Sequence, residues 1–110
     1  CAVVFTAPTT GRVKIHTSAR LLNSGATSGS LISPETRAGG TIGAGTIVEA
    51  AADGGGASHY GSTFARVGVT HLLSGLTPGD VYNTRLLHRS SVVTETATIA
   101  LRELIVEAAT

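Results

Sequence analysis

Histidine is the residue type in this sequence with the most obvious chemical uses. The four histidines are His16, His59, His71 and His88, and no two of them are two or four residues apart. Those are the spacings at which one strand or one helical turn offers two ligands to a metal ion. His71 alternates with apolar residues, which indicates an inward-facing, hydrogen-bonded structural histidine. The sequence therefore predicts no metal site.

Motifs for covalent or cofactor chemistry are missing as well. The chain has neither a G-x-S-x-G elbow nor an S-x-x-K pair, and its seven acidic residues are scattered. The glycine-rich segment at residues 40–45 lacks the G-x-G-x-x-G order and a following lysine, so it predicts a turn between strands. We expect a protein with no catalytic residues, no enzymatic activity and no cofactor.

Two groups of side chains are candidates for ligand contact. His59 and Tyr60 lie in the longest glycine-rich loop of the sequence, and an exposed aromatic ring beside an imidazole can stack on a sugar. Arg85, His88 and Arg89 lie near the end of one predicted strand and would form a polar contact patch. The structural alternatives are a loop tip packed on the edge of the fold and a solvated strand end.

Regular alternation of apolar and polar residues is the strongest structural signal in the sequence. Between residues 12 and 22, Val13, Ile15 and Leu21 fall on one face, and Lys14 and Arg20 fall on the other. A two-residue period indicates a strand with one buried face. Further strands are predicted near residues 2–6, 30–37, 45–51, 63–74, 81–90 and 94–107, separated by glycine- and proline-rich turns. This spacing predicts an all-β fold, a two-layer antiparallel β-sandwich.

The last predicted strand is ambiguous. Leu101, Leu104 and Ile105 have helical spacing, whereas the preceding T-E-T-A-T-I at residues 94–99 is typical of a strand. A strand is preferred, and it would place Ile99, Leu101 and Ile105 on one face with Glu103 interrupting that face. A terminal helix over residues 99–108 is the alternative.

Length and composition narrow the class of protein. We expect residues 1–110 to form a single β-sandwich domain of a longer polypeptide, because the strand pattern begins directly after Cys1. A processed lipoprotein end at Cys1 is the alternative. The net charge of +1 predicts neither nucleic-acid binding nor attraction to an acidic membrane, and no apolar run predicts membrane insertion. The sequence has only four aromatic residues, so we expect a modest core, which favours further burial in an oligomer.

Two stretches resemble jelly-roll domains of the complement-globular-head and tumour-necrosis-factor type. They are F-T-A-P-T-T-G at residues 5–11 and L-S-G-L-T-P-G-D-V-Y at residues 73–82. The resemblance implies a sandwich of the jelly-roll type, which is the preferred form, and a tight homotrimer. The strands near residues 12–22 and 61–75 would then bury part of their apolar surface between protomers.

Several motifs in order resemble C-terminal β-sandwich modules of minor tail and fibre proteins from tailed phages of actinobacteria. They are F-T-A-P-T-T-G-R-V at 5–13, S-P-E-T-R at 33–37, G-T-I-G-A-G-T at 40–46, G-L-T-P-G at 75–79, Y-N at 82–83 and L-H-R at 87–89. The resemblance implies a structural module on the virion tail or extracellular surface, which contacts other virion proteins and host-surface glycans. These motifs mark the scaffold and supply no binding residues. A secreted carbohydrate-binding or adhesion module attached to an enzyme is the alternative.

The stretch L-T-P-G-D-V-Y at residues 76–82 has a second resemblance. It is similar to the tyrosine-corner turn of fibronectin type III domains, in which the tyrosine hydroxyl bonds back to the upstream backbone. A fibronectin type III or immunoglobulin-like sandwich is therefore the alternative fold, although no tryptophan marks an early core strand.

Overall fold

Eight β-strands make up most of the chain in the computed structural model, which describes all residues 1–110. They are β1 Ala2–Thr6, β2 Val13–Asn23, β3 Gly29–Ala38, β4 Ile47–Glu49, β5 Ala57–Tyr60, β6 Ala65–Leu73, β7 Val81–Ser90 and β8 Ala97–Ala108, with one 3-10 turn at Asp53–Gly55. The structure contains no helix that is long and apolar enough to cross a membrane. The strand bounds follow the predicted ones closely except for β5, which lies where a loop was predicted.

The strands form two antiparallel sheets that pack face to face. The five-stranded sheet has the order β1-β7-β3-β4, and β5 also pairs with β3; the three-stranded sheet has the order β6-β2-β8. The prediction of a two-layer antiparallel β-sandwich is therefore confirmed. The face of each sheet that points away from the other sheet is called its outer face.

Alternation along β2 builds the centre of the core. Val13, Ile15, Ala19 and Leu21 are buried on its inner face, and Lys14 on its outer face is exposed. The inner residues belong to two clusters, one at each end of the sandwich. Burying an aliphatic side chain of this size contributes about 1.5–3 kcal/mol, so this one strand supplies a large share of the stabilisation.

The turn before β7 is held by a tyrosine corner. The Tyr82 hydroxyl accepts a hydrogen bond from the backbone N–H of Thr77 at 2.9 Å. The Tyr82 ring stacks on Phe5 with 5.9 Å between the ring centroids. This backbone contact is the one that the fibronectin type III alternative predicts, and it favours that alternative over the jelly-roll type.

The last element is a strand, and it contains a β-bulge. Between the pairs Arg20–Ala100 and Ser18–Glu103, two residues of β8, Leu101 and Arg102, lie opposite the single residue Ala19 of β2, and Leu101 has a φ of 49°. An extra residue of this kind exchanges the faces of the strand. Leu104 and Val106 consequently pack on the core, whereas Leu101 is 67% exposed. The prediction that Leu101 and Ile105 share the face of Ile99 was wrong, because the sequence does not reveal the bulge.

Strand β3 is buried on both of its faces. Eight consecutive residues of it are buried, although five of them are polar or glycine. The chain between β3 and β5 crosses the outer face, where the backbone N–H of Ala52 donates to the Ser33 hydroxyl at 3.0 Å. Gly56 lies so close to β3 that a Cβ there would be 1.7 Å from the Ile32 carbonyl oxygen. We call the two stretches on either side of β4, residues 39–46 and 50–56, the covering segment.

Asn83 fastens the first part of the covering segment. Its amide nitrogen donates to the carbonyl oxygens of Gly39 at 2.9 Å and Ala44 at 3.2 Å, and its amide oxygen accepts from the N–H of Gly43 at 3.0 Å. The side chain is almost fully buried. The glycine-rich turn at residues 40–45 is thus a strand connection held by one asparagine.

Candidate functional site

The predicted contact residues lie on both faces of the five-stranded sheet. The pairing of β5, β3 and β7 places Ser58, Leu31 and Arg89 in one row across the sheet, with Tyr60 opposite Gly29 in the next row. Side chains alternate along a strand, so Tyr60, Arg85 and Arg89 lie on the outer face. His59 and His88 lie on the inner face, and His59 Nε2 is 2.9 Å from the Thr63 carbonyl oxygen. The structure therefore separates the two histidines from the three outer residues.

An open groove runs along the outer face beside Arg89. Its volume is about 230 Å³, and its side walls and floor come from β3, β7 and the covering segment. Nine residues line this groove, which we call the outer-face groove: Leu31, Ile32, Ser33, Ala51, Ala52, Asp53, Leu87, His88 and Arg89. Ile32 and His88 are inner-face positions of their strands, so they border the groove from within the sheet. The floor is apolar and the polar groups stand at one end, so the groove can bind a small ligand with one apolar side.

Asp53 and Arg89 form a bidentate ion pair at one end of the outer-face groove. Arg89 Nε donates to Asp53 Oδ1 at 2.9 Å, and Arg89 Nη2 donates to Asp53 Oδ2. The hydrogen bonds from Arg89 hold the pKa of the Asp53 carboxyl below its usual value, and the same contacts raise the pKa of Arg89. Both groups therefore stay ionised at neutral pH while remaining about half exposed.

Tyr60 forms a flat aromatic surface next to this pair. A Cβ on Gly29 would lie 2.6–2.8 Å from three atoms of the Tyr60 ring, so the ring covers the glycine as a cross-strand partner. Tyr60 is nevertheless 59% exposed. One face of the ring is packed on the sheet and the other faces solvent. The prediction placed Tyr60 in a loop, whereas it lies at the end of β5.

Arg85 belongs to a different cluster. Its Nε donates to Glu35 Oε1 at 2.9 Å, and Arg37 Nε donates to the same oxygen at 2.8 Å. The Arg37 hydrogen bond, followed by that of Arg85, holds the pKa of the buried Glu35 carboxyl below its usual value. Arg85 thus compensates a buried charge at the far side of the sheet and does not line the outer-face groove.

The other two histidines, His16 and His71, each contact a glutamate away from the outer-face groove. On the outer face of the three-stranded sheet, His16 contacts the Glu107 carboxylate at 2.8 Å and the Thr70 hydroxyl at 2.9 Å. His16 holds the pKa of Glu107 below its usual value. His71 faces inward, as predicted, and its Nε2 pairs with Glu49 of the opposite sheet. No group of three or more potential metal ligands converges in the structure.

Asp53 and Leu31 are the groove residues that the sequence alone does not reveal. Asp53 lies 36 positions from Arg89 in the chain, and only the crossing of the covering segment brings the two together. Leu31 is an outward residue that becomes buried because the same segment lies over it. The one available signal for Asp53 was a single acid before three glycines, which is typical of any exposed turn.

Comparison with known proteins gave no relative for this chain. No protein-family model, no curated protein and no solved structure matches it. The resemblance to phage tail and fibre modules therefore has only the motifs quoted above as its support.

Proposed function

We propose that this chain is a non-enzymatic structural module of a phage tail or fibre, which assembles as an oligomer and presents a glycan-contact surface to the host. The observation that carries the proposal is the pairing of charges. On the surface, ionisable side chains meet as opposite charges, as in Asp53 with Arg89 and Glu103 with Arg66. The lowered pKa of Asp53 keeps its carboxylate charged beside Arg89, so this pair offers hydrogen bonds to a ligand and holds no proton to transfer.

Exposed aliphatic side chains support the assembly part of the proposal. Leu72 and Ile105 lie on the outer face of the three-stranded sheet with 52% and 54% exposure, where Leu72 pairs with Lys14 of β2 and Ile105 pairs with His16. A second copy of this chain would bury them, and the surrounding charged groups would form the polar rim that such interfaces have. The five-stranded sheet would then face outward, with the outer-face groove accessible in each protomer.

Native mass spectrometry and light scattering test this assembly. We expect a trimer at micromolar concentration for the wild type, and a monomer with an unchanged circular dichroism spectrum for the double variant Leu72→Asp, Ile105→Asp. Val93→Asp is the matched control, because Val93 is fully exposed on a loop outside the proposed interface. A wild-type protein that stays monomeric would contradict the proposal.

A secreted carbohydrate-binding module attached to an enzyme is the second candidate. The exposed Tyr60 ring beside the outer-face groove favours it, since a binding module needs a contact surface and no oligomer. The parent polypeptide distinguishes the two candidates. Neighbouring coiled-coil or collagen-like segments support the fibre, and a neighbouring hydrolase domain supports the binding module.

A further inference from the structure

We propose that the outer-face groove together with Tyr60 is a site for one neutral pyranose ring of a glycan, with the sugar stacked on Tyr60 and its hydroxyls bonded to Asp53 and Arg89. The proposal rests on the glycan-contact role proposed above and assigns that role to named residues. Three neighbouring features support it. They are the exposed Tyr60 ring as an aromatic platform, the Asp53–Arg89 ion pair with its unused hydrogen-bonding groups, and the apolar floor of the groove.

The platform is fixed before any ligand binds. Gly29 leaves room for the Tyr60 ring to lie on the sheet, so the orientation of the ring is set by a backbone contact. The solvent-facing side of an aromatic ring attracts the C–H face of a sugar in the same way that it attracts another apolar surface. An ordered aromatic ring loses little conformational entropy when it binds, which favours binding to a shallow site.

The ion pair retains free hydrogen-bonding capacity. Arg89 has five N–H donors, of which Nε and one Nη2 hydrogen serve Asp53 and one Nη1 hydrogen serves the Ser90 carbonyl oxygen at 3.0 Å. Two donors remain free, and the Asp53 carboxylate keeps free lone pairs on both oxygens. Adjacent sugar hydroxyls both donate and accept hydrogen bonds, so they match a side-chain pair that offers donors and acceptors together.

The charge of the pair determines the class of sugar. Asp53 and Arg89 neutralise one another, so the groove has no unpaired cation to attract a carboxylate or a sulfate. Leu31, Ala51 and Leu87 add an apolar floor, which suits the C–H groups of a ring. The groove is smaller than the roughly 300–1,000 Å³ of sites that enclose drug-sized ligands, and it therefore accommodates a single ring. We infer a neutral hexose over a sialic or uronic acid.

Titration of the isotope-labelled protein with methyl glucoside, methyl galactoside and methyl mannoside tests the site by NMR. We expect millimolar binding of at least one of these sugars, with amide shifts confined to Asp53, residues 58–60 and Arg89. N-acetylneuraminic acid is expected to bind more weakly. Identical sites on one oligomer then raise the overall avidity without a new contact.

Substitutions at Tyr60 separate stacking from folding. Tyr60→Ala is expected to weaken binding about tenfold, which corresponds to about 1.4 kcal/mol. Tyr60→Phe keeps the ring and is expected to bind as the wild type does. Phe64→Ala is the matched control, because Phe64 is also partly exposed but contacts Arg20 away from the groove. Asp53→Asn removes the carboxylate from an exposed turn and gives a second test if Tyr60→Ala does not fold.

Three results would overturn the assignment: no shift with any of the neutral sugars, preferred binding of the acidic sugar, or equal binding by Tyr60→Ala. Light scattering of the same samples measures the oligomeric state, so it tests the assembly separately from sugar binding. A stable trimer that binds no sugar refutes the site alone. A monomer that binds sugar at Tyr60 refutes the assembly and leaves the site in place.

Discussion

Strands β2 and β3 have equivalent places in the sandwich but different surroundings. Each lies between other strands of its own sheet. Buried and accessible residues alternate along β2, whereas β3 has eight buried residues in succession. The difference lies in the outer faces, because the covering segment crosses one sheet and the other sheet faces water. Burial of a strand in this fold is thus set by what crosses it as well as by its own pattern.

The largest effect is expected on the inner face of β2. Ile15→Asp puts an unpaired charge into the core and should cost more than about 4 kcal/mol, enough to unfold a domain of ordinary stability. In the monomeric Leu72→Asp, Ile105→Asp background, Lys14→Ser on the outer face should change the free energy of unfolding by less than about 0.5 kcal/mol. Urea denaturation measures both. A large loss at Lys14 in that monomeric background would contradict the assignment of Lys14 to a solvent-facing position of the isolated chain.

The next largest loss of stability is expected at Asn83, which holds the covering segment over the five-stranded sheet. Asn83→Ala leaves the Gly43 N–H and the Gly39 carbonyl without their partner, and we expect a loss of about 2–3 kcal/mol. Hydrogen exchange of the β3 amides should become faster in the same variant. Ile42→Ala, in the same turn but exposed, is the control and should leave both quantities unchanged.

Acid should weaken the outer side of the five-stranded sheet. The pKa of Glu35 is lower in the folded protein than the ordinary value of 4.5, so the unfolded state binds more protons in acid. The stabilisation is therefore complete above pH 4.5 and is lost as the pH falls through the lowered folded pKa. Denaturation at several pH values should show this loss, and Glu35→Gln should reduce it. Asp80→Asn, at a carboxylate without a basic partner, should retain it.

The smallest effect concerns two buried threonines. Thr17 on β2 has a buried hydroxyl without a hydrogen-bond partner, whereas the hydroxyls of Thr36 and Thr84 bond to each other at 2.8 Å. Thr17→Val should raise the melting temperature through a gain of up to about 1 kcal/mol, and Thr36→Val should lose about 1 kcal/mol. Destabilisation by Thr17→Val would show that its hydroxyl has a partner after all.

The same comparison explains what the sequence could predict. Alternation made β2 and its buried face predictable, and the P-G-D-V-Y turn made the contact of Tyr82 with the upstream backbone predictable. The sequence did not predict strand β5 or the burial of Leu31. Residues 51–56, which precede β5 and lie over Leu31, show no regular alternation of apolar and polar residues. The pairing of Asp53 with Arg89 depends on a crossing of the chain, which no local pattern encodes.

The bulge at Leu101 also bears on solubility. Strand β8 is twelve residues long and pairs with β2 only, so one edge has free N–H and C=O groups along its length. A long regular edge of this kind invites strands from other molecules to add to it. The left-handed backbone of Leu101 interrupts that edge near its middle, so an incoming strand could not keep its register across the break. Uncontrolled strand addition, the first step towards fibrils, is thereby disfavoured, while β8 keeps its pairing to β2 on both sides of the bulge.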